Sequence, residues 1–486
     1  MRDELMTHRG AHSLLMIWVV LMGLTACATA PDQREFLKQT YDRSAQYHAP
    51  DRNPVIVIPG ILGSRLVDEE TGRTIWGAFR SKYADPNSAE DVGLIALPID
   101  QDSGFSTGNY TRVRPDGVLE SLKLRLAGIP LEVQAYKGIL TTLGAGGYRD
   151  ESLGLNSIDY GTDHYTCFQF DYDWRQDISS NAERLKQFID ERRRDVQVQY
   201  EKEYGLKNAP VKFDIVAHSM GALLTRYFLR YGGTELPSDG SVPPVSWSGT
   251  ADVERAILVA PPNAGSLDAV DQLVNGFNKG GPLIPAYAPA VLGTFPSIYQ
   301  LLPRPRHGRL IKDGQEDAVV ENIYDPKTWQ ELGWGLSGRD EKTQEILSNL
   351  LPGLDSADDR QNLAQRYQAT ALARAEQFHK ALDVPAKPPE GLDLFLIAGD
   401  SLPTPEYFSV DTQTGELEDV GAVAGDTVVA RSSALLDERI GGTWQPALKS
   451  PIDWDSVLFL PSSHRDITSH PTFEDNVLYW LLEDPR

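Results

Sequence analysis

The strongest chemical signal in the chain is the segment Ala217-His218-Ser219-Met220-Gly221. A serine hydroxyl is a poor nucleophile until a base takes its proton, so a catalytic serine must be held at a fixed point and given a partner. An apolar run, residues 211–217 (VKFDIVA), leads into Ser219, and an amphipathic run, residues 222–231 (ALLTRYFLRY), leads out. Strand, sharp turn and helix are what a nucleophile elbow requires, and small residues at 217 and 221 let the turn close. The blander reading of Ser219 is a helix N-cap. A second serine, in Gly104-Phe105-Ser106-Thr107-Gly108, matches G-x-S-x-G more literally. It lies between polar segments with neither strand nor helix beside it, and reads as a loop.

In such folds the nucleophile is followed along the chain by an acid and then a histidine. Beyond Ser219 the histidines are His307, His379, His464 and His470. His464 comes just after the apolar run 456–460 and just before a closing helical pattern, which is the loop position a catalytic base needs. His470 precedes Pro471 and reads as a helix cap. His307, in a basic proline-rich joint, and His379, in a charged helical stretch, read as surface residues. For the acid, which fixes the imidazole tautomer and stabilises the imidazolium, Asp400 and Asp426 compete, and spacing does not separate them. An oxyanion hole needs two N–H donors. Met220 is the candidate next to the nucleophile, and Ile61, in the turn Pro59-Gly60-Ile61-Leu62-Gly63, is the candidate from the first strand.

Positioning these groups takes a series of buried strands. Short apolar runs at 54–58, 167–170, 211–217, 255–260, 392–398 and 456–460 alternate with helical patterns, notably 181–204, 222–231 and 473–482. Strands alternating with helices predict an α/β-hydrolase fold, a mostly parallel sheet flanked by helices. Two stretches interrupt the rhythm. The expected organisation is a core over 54–270 with a lid insertion at about 66–150, a helical cap over 271–390, and the rest of the core over 391–486.

The formal charge of −23 excludes the phosphate-neutralising surface that nucleic-acid binding needs. Two cysteines, Cys27 and Cys167, make no disulfide framework and no metal-ligand pattern, and neither metal nor cofactor is expected. At the start, Arg2 and Arg9 sit ahead of an apolar run (residues 14–24) too short to span a bilayer, which runs into Leu24-Thr25-Ala26-Cys27. This resembles a bacterial lipoprotein signal. The resemblance implies cleavage after residue 26, lipidation at Cys27, a polar tether over 27–53 and, with Ala28 next, a periplasm-facing address on the outer membrane. A conventional signal peptide cut nearby is the alternative.

Several segments together resemble the lecithin:cholesterol acyltransferase and lysosomal phospholipase A2 family. They are residues 54–64 (PVIVIPGILGS), 170–175 (FDYDWR), Ala217-His218-Ser219-Met220-Gly221, 402–405 (LPTP) and 425–432 (GDTVVARS), while 270–390 matches weakly. The resemblance implies a serine-dependent acyl-ester hydrolase or O-acyltransferase acting on lipids without a cofactor, with the membrane and a lipid or other acyl-ester substrate as partners. It selects Asp426 over Asp400, although here the glycine precedes the aspartate. It also puts Asp173, Trp174 and Arg175 near the site; on their own they read as a packed Trp beside an Asp–Arg pair. The competing functions are an esterase or thioesterase for non-lipid acyl groups, and a catalytically silent binding lipoprotein.

Overall fold

The six apolar runs become six strands of one parallel sheet: β1 (Val55–Ile58), β2 (Cys167–Gln169), β3 (Phe213–His218), β4 (Val253–Val259), β5 (Asp393–Gly399) and β6 (Ser456–Leu460). Their order across the sheet is β6-β5-β4-β3-β1-β2, and every neighbouring pair is parallel. This computed structural model describes residues 33–78, 83–100, 112–119, 121–126, 129–134, 136–151, 165–277, 284–312, 320 and 322–486. Ser106, Cys27 and the whole of the expected signal segment lie outside the described residues.

Every residue of β1 and β3 is buried, because helices cover both faces of the sheet and neither side can be polar. Successive side chains point to opposite faces. Ile56, Ile58, Ile215 and Ala217 pack in the core that includes helices α1 (Ile178–Tyr204) and α2 (Met220–Tyr231). Val55, Val57 and Val216 pack on the other side, with Phe473, Val477 and Trp480 of the terminal helix (Pro471–Leu482). Two short helices, Gln33–Thr40 and Asp42–Ala45, occupy part of the polar stretch that reads as a tether or a loosely packed leading helix. Leu37 and Tyr41 are buried there against Leu478.

Between β1 and β2 the chain forms a three-stranded antiparallel sheet from Ser64–Asp68, Thr74–Trp76 and Val113–Val118, then a hairpin of Ser121–Leu126 with Ile129–Gln134. Between β4 and β5 lie several helices, the longest being α3 (Ala357–Asp383), and one strand, Arg309–Lys312. That strand joins a second excursion, the antiparallel pair Leu402–Val410 and Leu417–Gly425, which leaves the end of β5 and returns to it. The sequence reading did not anticipate this pair.

Candidate active site

The loops that leave the carboxyl ends of β1, β3, β5 and β6 converge, as ligand-binding loops of open parallel sheets do. Ser219 follows β3 with φ 54° and ψ −125°, a left-handed backbone rarely adopted by a residue with a side chain. The strained turn is held because Ser219 N–H bonds to Val259 O at 2.8 Å and Ser219 O accepts Ala222 N–H at 2.9 Å. Gly221 is required by contact: a Cβ there would lie 2.4 Å from Pro59 O. Gly60 is required likewise, since its Cβ would lie 2.7 Å from the Ser219 Cβ.

Three of the residues singled out from sequence meet here. His464 Nε2 is 2.9 Å from Ser219 Oγ, and His464 Nδ1 is 2.8 Å from Asp426 Oδ2. An ionised carboxylate only accepts, so Nδ1 carries the proton and Nε2 is left to accept the Ser219 hydroxyl. The second oxygen of Asp426 accepts the N–H groups of Val428 (3.0 Å) and Val429 (2.6 Å), which fixes the carboxylate. Burial raises the Asp426 pKa, but the His464 charge and these bonds outweigh it and hold the carboxyl below its usual range. Burial likewise pulls the His464 imidazole down, and the Asp426 charge and hydrogen bond outweigh that and hold it above its ordinary value.

Asp426 reaches the site because the antiparallel pair returns to the end of β5. A Cβ on Gly399 would lie 2.5 Å from that of Asp426, so only glycine permits the approach. Asp400, one residue along, faces outward and accepts only a bond from Ser401 Oγ at 2.7 Å among the hydrogen bonds described. His470 caps the terminal helix, its Nδ1 accepting Thr472 N–H at 3.2 Å. His307 and His379 are not surface residues. Both are buried and hydrogen-bonded, His379 to Tyr324 and Gln300, and His307 to Asp437 O. A charged helix and a basic joint misled the reading because apolar neighbours from elsewhere in the fold cover them.

Ser219 lies in a cleft of about 460 Å³, walled by Ile61, Leu62, Phe277, Ile298, Leu301 and Val428 among others. That is within the usual size of a small-ligand site, about 300–1,000 Å³. Met220 is the first residue of α2, so its N–H has no acceptor within the helix. Ile61 lines the cleft beside Leu62, whose φ is 63°. Trp76 braces this loop by donating Nε1–H to Leu62 O at 2.7 Å, and Trp174 donates to Ser64 O at 3.1 Å. Asp173 and Arg175 form a fully buried pair, with bonds of 2.7 and 2.9 Å. Neither they nor Trp174 line the cleft; Arg175 also donates to Ile95 O at 2.7 Å, which ties this segment to the insertion after β1.

Two residues with contacts in the site carried no assignment from sequence. The ring of His218 lies 4.9 Å from that of His464, and its Nδ1 is 3.0 Å from the hydroxyl of Tyr136. His218 was legible as a neighbour of the nucleophile, but no pattern marks Tyr136, which tertiary folding brings in from 82 residues away.

Comparison with known proteins bears on this arrangement. The family model described as "Lecithin:cholesterol acyltransferase" matches residues 148–418, which include Ser219 and the middle of the chain but stop short of Asp426 and His464. A protein of Arabidopsis thaliana described as a putative phospholipid:diacylglycerol acyltransferase 2 is 23% identical over 288 residues. The match covers 57% of this chain and 39% of that one, so the chain spans well under half of that relative's length. Among solved structures, a chain of the Tle4-Tli4 complex superposes with a TM-score of 0.56 at 14% identity, covering 89% of this chain and 98% of that one. At that identity the likeness concerns the fold.

Proposed function

This chain belongs to the lecithin:cholesterol acyltransferase family, and from that premise we propose that it is a serine-dependent acyl-ester hydrolase or O-acyltransferase acting on lipids. The observation that carries the reading is the continuous relay from Ser219 through His464 to Asp426 at the base of an apolar-walled cleft. In the proposed reaction Ser219 Oγ attacks the acyl carbonyl and His464 Nε2 takes its proton. The oxyanion is held by the N–H groups of Met220 and Ile61. The intermediate collapses, the C–O bond to the leaving alcohol breaks, and His464 returns the proton to that alcohol. Water or a second alcohol then attacks the acyl-Ser219 ester by the same route. Every proton moved is held by a residue of the chain, so the scheme uses no cofactor.

Labelling with a fluorophosphonate probe tests the nucleophile. We expect one labelled site in the wild type and none in Ser219→Ala; persistent labelling of the variant overturns the assignment. Comparison of short- and long-chain acyl esters tests the lipid reading, since a strict preference for short chains favours a non-lipid esterase. The address is part of the same proposal: lipidation at Cys27 on the outer membrane. Incorporation of radiolabelled palmitate that survives Cys27→Ala removes it.

A further inference from the structure

Ser219, His464 and the loop after β1 come from three separate strands, yet one chain of side chains joins all three. Gly60 N–H donates to Tyr136 Oη at 2.7 Å. Tyr136 Oη is 3.0 Å from His218 Nδ1, and His218 Nε2 is 2.9 Å from the backbone oxygen of His464. The directions follow from elementary bonding. A carbonyl oxygen only accepts, so His218 carries its proton on Nε2. Its Nδ1 is then a bare acceptor, which the Tyr136 O–H must serve. The Tyr136 oxygen keeps a lone pair for Gly60 N–H. Each donor is used once, and both Tyr136 and His218 are buried residues, where an unmade bond is costly.

Resting on the function proposed above, we infer that Tyr136 and His218 are positioning residues that fix the oxyanion loop and the base loop at one distance across the nucleophile. Neither takes part in proton transfer. Tyr136 consumes the Gly60 N–H, so the next amide, that of Ile61, is the one left to face the cleft. His218 holds the backbone oxygen of His464 while Asp426 O accepts His464 N–H at 2.7 Å, clamping the base's backbone on both sides. Burial, and then the nearness of His464, pull the His218 pKa down to about 3, so the brace keeps its polarity wherever His464 is neutral. With the His218 ring neutral, no other arrangement of protons satisfies all three bonds.

The test is Tyr136→Phe in the full chain, which removes one hydroxyl and little volume. We expect kcat on an acyl ester to fall about 10- to 100-fold, as when a residue supporting a reactive group is lost. KM should change less than kcat, because the variant keeps the Tyr136 ring that lines the cleft and removes only its buried hydroxyl. Fluorophosphonate labelling should slow in proportion yet still reach full occupancy. Wild-type kcat and labelling rate in a folded Tyr136→Phe protein overturn the inference. A loss confined to KM does so as well. Should Tyr136→Phe fail to fold, nitrogen shifts of 15N-histidine-labelled wild type decide, assigned with His218→Gln. The brace requires neutral His218 with its proton on Nε2, and a protonated or Nδ1–H ring overturns it. Failure of the proposed function is a different result, absence of labelling at Ser219 in the wild type, and it leaves the tautomer measurement readable.

Discussion

The three residues of the relay differ in how far sequence betrays them. Ser219 directly follows a largely apolar strand and His464 follows another with three residues between, so a strand-then-turn reading finds both. Asp426 is different. It reaches the end of β5 only after a 25-residue excursion, and Asp400 stands at the same strand end in the chain itself. Local sequence therefore offers two acids at one place, and only the path of the excursion decides which faces His464. The bonds of Asp426 predict what its loss does. In Asp426→Asn the amide oxygen keeps the Val428 and Val429 N–H groups and its NH2 turns to His464 Nδ1. The imidazole then carries its proton on Nε2 and cannot accept from Ser219. We expect kcat to fall about 10³- to 10⁴-fold, as for the wrong tautomer in other triads, measured on an acyl ester at neutral pH. The pH profile adds a sign. Activity needs neutral His464, and Asp426 raises its pKa, so the acid limb of kcat/KM in the wild type lies above the ordinary histidine value of 6.5. Activity is lost as pH falls through that limb. Removing the charge in Asp426→Asn moves the limb to lower pH, and an unmoved limb assigns it to another group.

Among the elements, those buried on both faces were legible and those wetted on one were not. β1 is an unbroken apolar run, and the other strands of the central sheet carry apolar stretches, because helices cover both sides of its middle. The pair Leu402–Val410 and Leu417–Gly425 is mostly half-buried or exposed and carries Pro403, Pro405 and Gly421, residues that argue against a strand in sequence. The elbow is the element on which the site turns, and its tightness is testable. Gly221, the second residue of α2, lies directly against the end of β1, where a Cβ would meet Pro59 O at 2.4 Å and Ile58 O at 2.7 Å. Both are backbone atoms, so no side chain can swing away to make room. Gly221→Ala should cost about 1–3 kcal/mol, the usual range for an overpacked site. The check is a lowered urea midpoint with an unchanged slope. Because Pro59 opens the loop proposed to carry an oxyanion donor, labelling of Ser219 should slow in the same variant. A stability loss with a normal labelling rate means the loop moves without disturbing the hole.

At the scale of the molecule, the insertion between β4 and β5 has to be fastened to the core, and no sequence pattern reveals where. The fastening is a buried carboxylate. Asp177 caps α1 by accepting Ser179 N–H at 2.8 Å, and it also accepts Gln300 Nε2–H at 2.8 Å and Arg374 Nε–H at 3.0 Å. Arg374, on α3, reaches further to Ser179 Oγ at 3.1 Å and Leu236 O at 2.8 Å. One ion pair thus ties α3 and the segment around residue 300 to the start of α1. Breaking a buried pair from one side leaves an uncompensated charge, which costs about 3–5 kcal/mol. Arg374→Met, which keeps the aliphatic bulk, should therefore destabilise strongly in thermal and urea unfolding. Adding Asp177→Asn removes the stranded charge while an amide oxygen still caps α1, so the double variant should recover part of the loss. That non-additivity distinguishes an electrostatic tie from simple packing. If Arg374→Met costs no more than about 0.5 kcal/mol, as an ordinary surface change does, the insertion is held by its apolar contacts, such as Leu372, Ala375 and Phe378 of α3, and the ion pair is incidental.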